Sequence, residues 1–142
     1  MEYIRLIHVK HYDVTRREFK TGAFQRSAKK RGGGLSIIQC DCISATGKPI
    51  CEHVRIYYPS AASEPPIYWK FDESVFPSGY RIEQSDSDTG DICHHNVFDV
   101  SHGSLEKIFR SIPLSEFLMC RDGMATPITA NDHERLAALA DN

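Results

Sequence analysis

The sequence has no run of ~18 consecutive apolar residues, the least that a membrane-crossing helix needs. Its 142 residues also lack an internal repeat, a low-complexity tract and a linker-like stretch, so one domain over residues 1–142 is expected. Charge of one sign is not in excess: 17 Lys and Arg against 19 Asp and Glu give a net charge of −2. That balance excludes a broad nucleic-acid-binding face and leaves room only for a local basic patch. The opening MEYIRLIHVKHYD lacks the apolar segment and small-residue cleavage site of an export signal. The G-x-S-x-G elbow, H-E-x-x-H, the phosphate-binding P-loop and the zinc-deaminase signature are all absent. A cytoplasmic location away from membranes is therefore the expectation, and there the five cysteines are expected as reduced thiols.

What is present fits an ordinary globular core, with 41% apolar and 25% charged residues. Tyr3–Val9 alternates as a first strand, with Ile4, Leu6 and His8 on one face. Thr21–Lys30 reads as a short helix or an irregular segment around Ala23-Phe24. The run Arg31-Gly32-Gly33-Gly34 reads as a mobile loop or a close backbone approach. Two strands, Leu35–Ile43 and Ile50–Tyr58, are expected around a turn at Thr46-Gly47-Lys48-Pro49. Further strands are read at Ile67–Phe71, Tyr80–Glu83, Ile92–Val100 and Glu116–Cys120. Arg121-Asp122-Gly123-Met124 predicts a tight hairpin. Ser104 is expected to cap a helix over Leu105–Phe109 that ends by Pro113, and Asn131, with Glu134, to cap a last helix. Together these predict an α+β fold: a mainly antiparallel sheet built on the hairpin 35–58, with short helices in the C-terminal third.

Some residues also carry a resemblance. Arg5 and His8, Ala23-Phe24, Gly34-Leu35-Ser36 and the late Asn131-Asp132-His133 resemble a loose family of small uncharacterised bacterial proteins. These open on an Arg/His strand and pass through an Ala-Phe segment into a Gly-Leu-Ser strand. The resemblance covers about the first forty residues and a few at the end. It implies a bacterial source and carries over no activity.

The concentrated chemistry is Cys40-x-Cys42, Cys51-x-His53 and Cys93-His94-His95. Zinc takes four Cys, His or carboxylate ligands in a tetrahedron. On strands, residues two apart share a face, so the hairpin register decides whether these side chains meet. A two-residue turn at Thr46-Gly47 pairs Cys42 with Cys51 and Cys40 with His53, all on one side. A three-residue turn flips one strand. Cys40 and Cys42 then join Ile38, Val54, Ile56 and Tyr58 in a core stripe, as small buried hydrophobes. An oxidising compartment adds a third alternative, a Cys42–Cys51 disulfide. From the later cluster Cys93 and His95 share a face, with Asp91 and His102 near enough in sequence to complete a site. The candidate zinc ligands are thus Cys40, Cys42, Cys51, His53, Cys93 and His95, with no cofactor as the alternative.

Basic residues concentrate at Arg16, Arg17, Lys20, Arg26, Lys29, Lys30 and Arg31. Arg26, Lys29, Lys30 and Arg31 are the candidate contacts to nucleic acid or an acidic partner. A small interaction or accessory domain that binds another protein, stiffened by structural zinc, is the functional expectation. A hydrolase or nuclease using His/Cys or metal is the alternative, and it requires His8, His11, His53, His94, His95 or His102 to converge. Arg5 with Ser36 and a late glutamate also permits an ADP-ribosyltransferase-like reading.

Overall fold

The computed structural model describes residues 1–24, 34–59, 65–85 and 90–140. β1 (Glu2–Ile7) leads through a short 3₁₀ turn into the two-residue ladder of β2 (Tyr12–Asp13) and β3 (Glu18–Phe19). β4 (Leu35–Gln39) then pairs antiparallel with β1, aligning Tyr3 with Gln39. β5 (Ile67–Asp72) takes the other edge of β1, aligning Tyr3 with Phe71. β6 (Arg81–Gln84) and β7 (His94–Phe98) extend the sheet beyond β4, while β8 (Phe117–Arg121) and β9 (Met124–Pro127) extend it beyond β5. The order is β6-β7-β4-β1-β5-β8-β9, and every neighbouring pair is antiparallel. The expected α+β architecture, with helices in the C-terminal part, is what the chain forms.

The expected hairpin at its centre is not. Only Leu35–Gln39 is strand; the chain then turns into α1 (Cys40–Ala45) and α2 (Ile50–Tyr57). Gly47, at φ 77°, does make a turn, but between two helices. The β-branched and aromatic content of Ile50–Tyr58 favours a strand in isolation. Helical signals outweigh it: Pro49 at the N-cap, Glu52 in the first turn and Arg55 in the last. Cys51 and Val54, three apart, are both buried on the face toward the sheet. Ile56, expected in the core stripe, is 47% exposed.

The sheet is covered on both faces. On one, α1 and α2 bring Cys40, Ile43, Cys51 and Val54 onto Ile4, Ile38, Tyr68 and Cys120. On the other, Tyr3, Leu35, Ile37, Trp69, Phe71 and Phe117 meet an aromatic layer and the two late helices. α3 (His102–Arg110) supplies Leu105 and Phe109, and α4 (His133–Ala140) supplies Leu136. Rings at 4.5–5.7 Å between centroids, such as Trp69–Phe71, Phe19–Phe117 and Phe24–Phe109, knit this core.

Both late helices are capped elsewhere than expected. Ser101 accepts the Ser104 N–H at 3.1 Å, so Ser104 lies inside α3. Thr129 and Asp132, not Asn131 and Glu134, form the capping box before α4. The Asp122-Gly123 turn is as expected, both residues at positive φ between β8 and β9.

Arg5 ties β1 to the Ala23-Phe24 segment and to β4. Its Nε and Nη2 donate to the Ala23 carbonyl at 3.1 and 2.8 Å, and Nη1 to the Ser36 carbonyl at 2.8 Å. Its guanidinium also lies over the Phe24 ring. Gly34 is required for close approach, since a Cβ there would stand 2.7 Å from Asn96 Cβ.

Candidate metal and redox centre

The site grows out of the β4–β7 pairing. Ile38 lies opposite His94, and Gln39 N–H donates to the Cys93 carbonyl at 3.0 Å. That bond holds the turn before β7 against the start of α1. Cys42, two residues into α1, is bonded there to Cys93, with Cα atoms 5.4 Å apart. α2 packs beside α1 and carries Cys51, bonded to Cys120 of β8 with a Cα separation of 5.8 Å. Two disulfides therefore replace the expected thiols, and neither is the Cys42–Cys51 pair. The helical backbone is the reason. Residues two apart on a helix point ~200° apart around the axis, so Cys40 and Cys42 diverge, as do Cys51 and His53.

Asp91 is the polar centre, fully buried. Its Oδ2 accepts the Tyr58 hydroxyl at 2.6 Å. Its Oδ1 accepts the Cys93 N–H at 2.9 Å and lies 3.0 Å from His53 Nε2. Burial pushes the Asp91 carboxyl up, but donation from His53, Tyr58 and the Cys93 amide outweighs it and holds the group below its usual range. An ionised Asp91 only accepts, so His53 Nε2 carries the proton it donates. The other ring nitrogen, Nδ1, is buried and has no hydrogen-bond partner, and His53 itself is 1% exposed. One ligand atom each from His53, Asp91 and Cys93 lie within 4.8 Å of one another.

A carboxylate on one imidazole nitrogen, with the other left bare, is the arrangement that orients a metal-binding histidine. A bare buried nitrogen is costly without a ligand. Borderline nitrogen, sulfur and a supporting carboxylate form a donor set for zinc. Cys93 lends a thiolate only when the disulfide is open, and opening it also frees Cys42. His53, Asp91 and Cys93 thus offer a candidate donor set for a metal once the disulfide is open, and the closed Cys42–Cys93 bond is a covalent clamp.

Of the six expected ligands, His53 and Cys93 meet, together with Asp91, and Cys42 is joined to Cys93 by the disulfide. Cys40 is a buried thiol, pushed by burial up to about 11 and removed from nucleophilic chemistry. Cys51 is bonded elsewhere. Cys93 lies in the turn before β7, not on the strand, so it does not share a face with His95. The His95 Nδ1 bonds the Cys93 carbonyl at 2.9 Å, and the ring packs edge-on to Tyr3.

The remaining histidines do not converge. His8 caps a 3₁₀ turn, His11 stands beside Gly22, and exposed His102 pairs with Glu106. His94 Nε2 lies 3.0 Å from Ser36 Oγ. Among the described residues no cluster of three metal-binding side chains contains two histidines. Arg26, Lys29, Lys30 and Arg31 lie outside the described residues. No helix among the described residues is long and apolar enough to cross a membrane.

Sequence reasoning missed two functional partners. Tyr58 was expected in an apolar stripe, yet it holds Asp91. Cys120 was read only as the end of a strand; nothing local connects it with Cys51, 69 residues away. No protein-family model, curated protein or solved structure matches the chain.

Proposed function

We propose that this chain is a small accessory domain whose α1–α2 face is either clamped by the Cys42–Cys93 disulfide or organised by one zinc ion. In the reduced state His53 and Cys93 would hold the metal, joined by the freed Cys42, with Asp91 fixing the imidazole through Nε2. The observation that carries this reading is the grouping of His53, Asp91 and Cys93 within 4.8 Å, on a histidine whose Nε2 meets Asp91 and whose buried Nδ1 has no hydrogen-bond partner. The two states exclude each other chemically, because a disulfide sulfur is not a thiolate. A dithiol reductant supplies two electrons and two protons, the Cys42–Cys93 bond breaks, and the reductant closes to its own disulfide. Zinc binding then displaces the two thiol protons.

On this reading the partner is another protein that meets the α1–α2 face and distinguishes its two forms. The domain then acts where reducing and oxidising conditions alternate, of which a bacterial cytoplasm under oxidative stress is one case. Native mass spectrometry tests it. The reduced protein with equimolar zinc should gain one zinc mass, and the oxidised protein none. His53→Ala should abolish the gain, and Cys40→Ala should leave it intact. Absence of a zinc adduct in the reduced wild-type chain, with melting unchanged by a chelator, would sink the proposal.

A further inference from the structure

Where β6, β7 and β4 lie side by side, the sheet turns polar. Ser36 precedes Ile38 by two residues on β4, so its side chain shares the face that Ile38 turns to α1 and α2. Across on β7, Asn96 stands opposite Ser36 and His94 opposite Ile38. The His94 carbonyl accepts the Ser85 N–H at 3.0 Å, so His94 and Asn96 turn their backbone groups toward β6. Their pairs with β4 are then of the kind without mutual hydrogen bonds, in which side chains approach most closely. Ser36, Ser85, His94 and Asn96 are brought together in this way.

The hydrogen bonds fix the tautomer of the histidine. His94 Nδ1 lies 2.9 Å from the Ser85 carbonyl oxygen and 3.1 Å from Ser85 Oγ. A carbonyl oxygen only accepts, so Nδ1 carries the proton. Ser85 Oγ is itself held by Asn96, whose Nδ2 donates to it at 2.7 Å. Nε2 is then the bare nitrogen of a neutral ring, and it lies 3.0 Å from Ser36 Oγ. The Ser36 hydroxyl is the donor in that contact. A hydroxyl donating to an imidazole whose far nitrogen is anchored on a carbonyl oxygen is the arrangement of a nucleophile and its general base. The imidazole is enclosed, at 8% exposure, which holds its orientation. Ser36 is half-buried, unlike the fully enclosed Asp91 and Cys93.

The surroundings define what could react there. The Asn96 amide carries a second N–H on the Ser36 side of the strand pair. The β1–β4 ladder ends at Ile4–Ile38, and the Ser36 carbonyl is taken by Arg5, so the Ser36 N–H lies beyond the ladder. These two N–H groups are the donors the site offers to an acyl oxygen that gains charge. Leu6, two residues beyond Ile4 as Ser36 is from Ile38, and Phe98, two beyond Asn96, are half-buried apolar neighbours. Arg81 lies over the Phe98 ring and is engaged by Glu83 and Asp99, which leaves it unsuited to hold an anionic substrate.

We propose that Ser36 and His94 form a nucleophile–base pair that hydrolyses esters of small, uncharged acyl groups. Ser36 Oγ attacks the acyl carbon as its proton passes to His94 Nε2. The bond to the leaving alcohol breaks, the alcohol takes that proton, and the acyl group stays on Ser36. Water then attacks the acyl carbon and gives a proton to Nε2. The acyl–Oγ bond breaks, the acid leaves, and Oγ recovers its proton. Zinc has no part in this reaction: in the oxidised chain Cys93 is closed in its disulfide, and the two ring nitrogens of His94 are engaged by Ser85 and Ser36.

The oxidised full chain tests the proposal, with an alkyl fluorophosphonate and p-nitrophenyl acetate as probes. The fluorophosphonate should add once per chain with loss of fluoride, and peptide mapping should place the adduct on Ser36. Denatured chain should take none. The acetate should be turned over by the wild type. Ser36→Ala should lower that rate to background, and His94→Gln should lower it roughly a hundredfold. Ser115→Ala, at an exposed serine remote in sequence from the site, should change neither readout. Ser36→Ala leaves His94 without its hydroxyl partner, so if that variant melts early the adduct map of the wild-type chain decides the matter. No adduct, an adduct on another residue, equal labelling of native and denatured chain, or undiminished turnover in a folded Ser36→Ala chain would each overturn the proposal.

Discussion

The two faces of the sheet are covered by different means. The α1–α2 face presents a small cluster of aliphatic and sulfur side chains around a buried polar centre, pinned by two disulfides. The opposite face presents a broad aromatic core closed by α3 and α4 and crossed by no disulfide among the described residues. α1 has six residues and α2 eight, too short to persist alone. Their buried apolar side chains are Cys40, Ile43, Cys51 and Val54, and two covalent bonds add to those contacts. The aromatic face is held by the contacts of its larger buried cluster. Stability there comes from packing, which does not respond to redox state; on the α1–α2 face it does.

Removing a disulfide should break the comparison most sharply. Cys51→Ala with Cys120→Ala opens a loop of 69 residues and should cost about 4 kcal/mol by chain entropy. Hydrogen exchange should show α1 and α2 losing protection while α3 and α4 keep theirs. Equal loss over all four helices would mean that the faces do not behave separately.

Phe109→Ala probes the other side. This ring touches Phe24 and Phe117 and is 5% exposed, so truncation should cost about 3 kcal/mol. The loss should read the same in oxidised and reduced protein by chemical denaturation. A strong dependence on redox state would contradict the assignment of stability on that face to packing alone.

Asp132 offers a smaller, pH-dependent test. Arg121 grips its two oxygens at 2.6 and 2.7 Å, and Thr129 N–H adds a third bond. The Arg121 contact, opposed by burial and aided by Thr129, holds the carboxyl below its usual range. Its contribution is therefore complete above the unfolded value, near pH 4, and is lost as pH falls through the folded value. Asp132→Asn should cost about 2 kcal/mol at neutral pH. The gap to wild type should close in melts run below about pH 4.

The smallest effect belongs to Cys40. Burial raises its thiol to about 11, so an alkylating reagent should leave it unmodified in the folded, oxidised chain and label it fully in denaturant. Cys40→Ala should cost roughly 1 kcal/mol, the loss of one buried sulfur. Rapid labelling of native protein would show that the α1–α2 face opens more readily than its crosslinks suggest.

Much of the sheet was legible, because β1, β5, β7 and β8 combine short length, β-formers and flanking turn residues. Asp122-Gly123 fixed a hairpin for the same local reason. The 40–57 segment was not, because its composition favours strand while its fold is set by tertiary contacts. α2 is held by Val54 and Cys51 against a face that only the assembled sheet provides. The candidate site was half legible. Cys42, His53 and Cys93 stood out by residue type, but strand spacing attached them to Cys40, Cys51 and His95. Asp91 was already a candidate to complete the Cys93 cluster, but its contacts with His53 and Tyr58 arise only through α2 packing and the β4–β7 register. The capping errors share one cause: Ser101 and Ser104, or Thr129 and Asn131, are chemically equivalent caps, and the packing of each helix selects the one further upstream.

The order of the four bonded cysteines along the chain has a further result. Cys42 and Cys51 precede Cys93 and Cys120, and each of the first two joins one of the second two. A single backbone cut anywhere between Cys51 and Cys93 therefore leaves two fragments tied by both bridges. Such a nicked chain would migrate as one species without reductant and as two with it. It would keep its halves at a fixed stoichiometry through dilution and purification, and the joint would come apart only under reducing conditions.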